Sequence, residues 1–137
     1  MLAKPGLLLR LEGAAFFAAN LYLYRVNGGS WWLFLALFLW PDLGMLGYLA
    51  NARIGARCYN LVHVAAIPAL MAITAFAMHQ AGSLSFALIW LAHIEWDRAF
   101  GYGLKYPTFF KDTHLQHLGE ASAHRPVSSS ITASAAI

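Results

Sequence analysis

The sequence predicts an all-α integral membrane protein: an up-down bundle of four helices, followed by a short amphipathic segment and a disordered tail. Composition is the first reason. Hydrophobic residues make up 60% of the 137 and charged residues 11%, with a mean hydropathy of +0.56, far from the make-up of an ordinary soluble domain. A chain this short leaves much of its surface outside any core, so lipid has to cover the apolar excess. The second reason is length. Four apolar stretches, 7–25, 31–50, 57–77 and 83–103, each approach the roughly 20 residues that an α-helix needs to cross a bilayer's hydrocarbon. The third is the connections: Asn27-Gly28-Gly29-Ser30, the polar segment 51–55 and the segment 79–82 are short and turn-like, which makes successive helices antiparallel.

Taken in order, the first helix carries Arg10 and Glu12 near its start and no clean cleavage pattern follows it. Removing it as a secretory signal would leave an odd number of helices, so it is expected to be retained. Gly13, Ala14, Ala15, Ala18 and Ala19 give it a small-residue surface for close packing. The second helix contains Pro41, whose missing N–H predicts a kink directly before Asp42. The third presents Tyr59, Asn60 and His63 in its first two turns. The fourth carries His93, Glu95, Asp97 and Arg98, and Gly101, Gly103 and Pro107 end it. Glu95 is expected at the interface, with Arg98 and Lys105 reaching the same surface on their long stems. Beyond the helix, His114 and His117 share KDTHLQHLG with Leu115 and Leu118, the pattern of a short amphipathic segment lying on the membrane. Residues 1–119 thus form the transmembrane domain, and the Ser- and Ala-rich 120–137 forms a disordered polar tail.

A net charge of +3 could suggest nucleic acid, but the basic residues border apolar runs instead of forming one stripe. They read as topology signals, and no nucleic-acid partner is expected. Lys4, Arg10, Arg53, Arg57, Lys105 and Lys111 fall on one side of the alternating path and Arg25 on the other, which predicts an inner-membrane protein with both termini cytoplasmic. Tyr22, Tyr24, Trp31 and Trp32 then make an outer aromatic belt, and Tyr48, Tyr102 and Tyr106 an inner one. Cys58 is the only cysteine, so no disulfide or CxxC zinc module forms within the chain.

Alternation of the helices brings Glu12, Asp42, Tyr59, Asn60, His63, His93, Asp97 and Arg98 into the cytoplasmic half of the bundle. Tyr59 and His63 are four apart, as are His93 and Asp97, so each pair shares a helix face. Each ionisable residue at depth costs about 2.5–3.5 kcal/mol even on the lenient insertion scale, and a set spread over four helices points to a site. Asp42, His63, His93 and Asp97 are suitable ligands for zinc, iron or manganese, with Tyr59, Asn60, Arg98 and a folded-back His114 as neighbours. A metal-assisted hydrolase of a lipid-soluble substrate follows, with His63, His93, Asp97 and Glu12 as the acid-base groups. Metal-free proton transfer by a His-Asp pair, as in an isomerase or cyclase, is a second reading. A non-catalytic bundle whose polar groups fix helix register is a third. Ser-His-Asp chemistry is disfavoured, since Ser83 and Ser85 fall at the opposite face and no GxSxG elbow occurs.

PDLGMLGY at 41–48, GARCYNLVHVAAIP at 55–68 and above all HIEWDRAFGYGLKYPTFFKDTHLQHLG at 93–119 resemble the bacterial membrane family called domain of unknown function 4260. The resemblance implies a compact multi-helix membrane protein and carries no activity. The PD element and the intramembrane histidines are also similar to membrane-bound metal-dependent hydrolases, although the second PD motif and the His-rich signature of those enzymes are missing here.

Overall fold

The computed structural model describes residues 5–107, 113 and 115. His114, the tail, Lys4, Lys111 and the amphipathic segment other than Thr113 and Leu115 lie outside the described residues; Leu115, expected against the membrane surface, is buried. Among those described there is no strand, only an isolated antiparallel bridge between Lys105 and Thr113. The helices form four rods. Helix α1 is Pro5–Val26; α2, Trp31–Leu37, continues into a 3₁₀ segment, Trp40–Leu49; α3, Ala52–His63, continues into α4, Ala66–Ala77; and α5 is Ala81–Phe100.

Two rods are broken, each for a reason legible in the chain. Pro41 stands at the start of the 3₁₀ segment, where its missing N–H ends the α-helical ladder. The third rod breaks at Val64, which is extended, four residues before the buried Pro68. The carbonyl of Val62, released by this break, is taken by the indole N–H of Trp90 at 2.6 Å. The third rod also begins earlier than the apolar pattern suggests: Asn51 caps it by accepting from the Ile54 amide at 2.9 Å, so Arg53 and Arg57 stand on helix with exposed side chains.

The 3₁₀ segment returns every three residues, and PDLGMLGYL divides accordingly. Leu43, Leu46 and Leu49 form one exposed row. Pro41, Gly44 and Gly47 form a second. A Cβ on Gly44 would stand 2.6 Å from Val62 and 3.1 Å from the Cys58 carbonyl, and one on Gly47 would stand 3.0 Å from Cys58, so this row lies flush on α3. The third row begins with Asp42.

Three rods, Pro5–Val26, Trp31–Leu49 and Ala52–Ala77, are long and apolar enough to cross a membrane, and broad exposed surfaces of Leu, Ile and Phe on them support a membrane protein. Helix α5 is less apolar, because HIEWDR interrupts it, and it is central instead: nine of its 20 residues are buried. It packs between α1 and α4. It runs antiparallel to α1, since Asn27 bonds the Ala81 carbonyl and Ser85 at one end while Gly13 abuts Glu95, Arg98 and Ala99 near the other. Gly13 makes that approach, whereas Ala14, Ala15, Ala18 and Ala19 are exposed. Tyr24 departs from the expected belt in the same way. It is fully buried against Phe34, Leu88 and Ile89, and its hydroxyl donates to the Ser30 carbonyl at 2.7 Å, which anchors the first turn.

Candidate metal centre

The broken ends of two rods supply half of a polar cluster. Asp42 is the third residue of the 3₁₀ segment and His63 the last residue of α3; His93 and Asp97, one turn apart on α5, supply the other half. Irregular backbone at membrane depth persists where it lines a site or cavity, and discontinuous helices mark binding sites in many membrane folds. Phe38, in the turn between α2 and the 3₁₀ segment, lies edge-on to His93 at 5.3 Å and separates the cluster from the aromatic core around Tyr24.

The four residues converge on one point, with one donor atom of each within 4.8 Å of every other. His93 Nε2 lies 3.4 Å from Asp42 Oδ1 and 3.8 Å from Asp97 Oδ2. His63 Nε2 lies 3.4 Å from Asp97 Oδ2 and 3.9 Å from Asp42 Oδ1. The two imidazole Nε2 atoms are 3.3 Å apart. Both rings are buried, and the carboxylates are partly so.

Proton placement follows from the neighbours. His63 Nδ1 faces the Tyr59 carbonyl oxygen at 3.0 Å. A carbonyl only accepts, so Nδ1 carries the hydrogen and Nε2 of the neutral ring turns a lone pair toward the cluster. Donors at tetrahedral corners about 2.0–2.1 Å from a zinc ion stand roughly 3.3–3.4 Å apart. Three of the distances above match that edge and two are a few tenths longer. Two imidazoles and two carboxylates gathered in this way could hold a metal ion.

Around this centre, the Tyr59 hydroxyl donates to Asp97 Oδ2 at 3.1 Å, while its ring stacks on His63 with centroids 3.7 Å apart. Asn60 stands away from the ligands. Its Nδ2 donates to the Lys105 carbonyl at 2.8 Å and its Oδ1 accepts from the Lys105 amide at 2.7 Å, so it ties the chain after α5 to α3. Lys105 does not extend to the surface. It is 7% exposed, with its ammonium 4.2 Å from the Tyr59 ring centroid and 5.4 Å from that of Tyr48. Burial pushes its ammonium below the ordinary lysine range, although the charges of Asp97 and Asp42 pull the other way.

Arg98 pairs with Glu95 at 3.1 Å. Glu95, expected at the interface, is only 5% exposed and lines a cavity together with Glu12 and Gly13 of α1. The i, i+3 spacing to Arg98 was the available signal. A cavity of about 300 Å³ joins these features. Tyr59, His63, Asp97, Glu12, Glu95 and Arg98 all line it.

The family model described as a domain of unknown function (DUF4260) matches residues 6–118. The chain belongs to the DUF4260 family. No curated protein and no solved structure matches it. The matched stretch of this DUF4260 member contains all four rods and all four converging side chains, so the cluster is part of the family domain and not of the tail.

Proposed function

We propose that this DUF4260 member is a four-span, up-down inner-membrane protein with cytoplasmic termini that holds one divalent ion at Asp42, His63, His93 and Asp97 and hydrolyses a lipid-soluble substrate. The approach of the two Nε2 atoms to 3.3 Å, with His63 Nδ1 committed to the Tyr59 carbonyl, carries the metal reading. Two N–H groups pointing at each other across that distance would repel, whereas two lone pairs there suit a shared cation. Nitrogen and oxygen donors of this kind suit zinc, iron or manganese.

A bound divalent ion supplies Lewis acidity and lowers the pKa of water. The chain's own groups do the rest. Asp97 and Glu12, which line the cavity, are positioned to take a proton from water as its oxygen bonds to the acyl carbon. They return that proton to the leaving group as the old bond breaks. The apolar lining from Leu9, Ile94, Leu104 and Leu115 suits a greasy substrate reaching the site from the bilayer. The antiparallel pairing of α1 with α5, and Gly44 and Gly47 against α3, supports the up-down path. Arg10, Arg53 and Arg57 at the cluster's end support the orientation.

Elemental analysis of detergent-purified protein tests the centre: one equivalent of metal is expected in the wild type and none in a His63→Ala/His93→Ala variant. Wild-type protein without metal would sink the hydrolase. It would favour the second reading, in which His93 Nε2–H donates to His63 Nε2 and the pair moves a proton without metal. Orientation is checked in a Cys58→Ser background. A cysteine replacing Gly28 should react with an impermeant label from outside the cell, and one replacing Arg53 should not.

A further inference from the structure

The cavity beside the metal centre has a pole around Glu95 and Arg98, two residues that the hydrolytic reading leaves unused. Glu95 is buried to within 5% of its surface, and Arg98 satisfies only its Oε1, at 3.1 Å. Its other oxygen, Oε2, is buried with no hydrogen-bond partner among the described residues. Leaving a charged acceptor in that condition costs more than leaving a neutral one, so something that donates is expected to complete it. Glu12 lines the same cavity, and two carboxylates against one guanidinium leave this pole net negative. Leu9, Ile94, Leu104 and Leu115 add apolar lining to the same cavity, and a volume of about 300 Å³ is at the lower end of ligand-sized pockets.

We propose that this cavity takes an amphiphile whose head carries a primary ammonium, received by Glu95 with Glu12 adding charge at the rim. An ammonium answers both needs of the pole, since it donates to Oε2 and compensates the excess negative charge. A hydroxyl would supply only the donor, and a quaternary ammonium only the charge. As the recognition element of a hydrolase the pole rests on the metal reading; as a binding site it stands on the cavity alone. In the full assembly the ammonium fixes one end of the substrate at Glu95 and presents the scissile bond toward His63 and Asp97.

The test is isothermal titration of the full chain in detergent, against empty micelles, with n-butylammonium, 1-butanol and butyltrimethylammonium. Wild-type protein should prefer butylammonium to both others by about tenfold, the scale of a hydrogen bond to a charged group. Glu95→Gln should abolish that preference, and Glu12→Gln, at a more exposed position, should reduce it by a smaller factor. The preference should survive in the His63→Ala/His93→Ala variant, which separates this inference from the fate of the metal centre. Equal binding of the three probes by wild-type protein would overturn it. So would an undiminished preference in Glu95→Gln or, if that variant does not fold, in Glu12→Gln.

Discussion

Tyr59→Phe isolates one atom of the proposed centre. The ring of Tyr59 stacks on His63 at 3.7 Å and lies under the Lys105 ammonium at 4.2 Å, and a phenylalanine keeps both contacts in a site that is 3% exposed. Only the hydroxyl is lost, and with it the donor that holds Asp97 Oδ2. Removing a partner that orients a metal ligand typically costs 10- to 100-fold in affinity, about 1.4–2.8 kcal/mol. At 3.1 Å the bond is at the long end for O–H···O, which puts the expected loss near the lower limit, about tenfold. Zinc titration against a competing chelator, in detergent and at fixed pH, measures it. Tyr59→Leu, which also removes the stacking, should lose more. An unchanged zinc affinity in Tyr59→Phe, with helical circular dichroism intact, would refute the role given to the hydroxyl and weaken the assignment of Asp97 as a ligand.

Gly13→Ala and Gly6→Ala should differ in sign: a Cβ at Gly13 meets backbone of α5 at 2.9–3.0 Å, while nothing lies within 4 Å at Gly6. Thermal melting in detergent should show Gly13→Ala destabilised by about 1–3 kcal/mol and Gly6→Ala unchanged or slightly stabilised through helix propensity. Trp90→Phe keeps an aromatic in place but strips the donor from the Val62 carbonyl, and should cost about 1–3 kcal/mol by the same measurement. Acidification should release bound metal, because protons compete for the imidazole and carboxylate donors; dialysis at falling pH with elemental analysis follows it, and metal retained at strongly acid pH would contradict a His and Asp ligand set.

The apolar pattern made the four rods legible because it reports where lipid can lie, and it made α5 legible even though that helix is mostly covered by protein. It was silent on the ends. Asn51 caps α3 six residues before the apolar run begins, and a capping side chain is a local signal that hydropathy averages away. The convergence of Asp42, His63, His93 and Asp97 was readable from alternation and helical spacing, since both depend only on chain direction and rise. Asn60, Glu95 and Lys105 were not readable in the same way. Their placement depends on how the helices are rotated and on where the chain after Gly101 turns back, and Gly101, at φ 88°, directs that turn. Pro41 predicted a kink, and the length of 3₁₀ helix that follows it comes from glycines packed on a neighbouring rod.

That 3₁₀ segment also sets a rule for how the stretch can change in length. Because its residues advance by about 120° each, inserting one residue after Asp42 would rotate everything downstream by a third of a turn. A leucine would then stand where Gly44 meets Val62 and Cys58, and the two rods would have to separate. Inserting three residues would restore every face and merely move Tyr48 by about 6 Å along the axis. Between Asp42 and Tyr48 the chain should therefore tolerate gain or loss of residues only in threes, a reading frame written in packing.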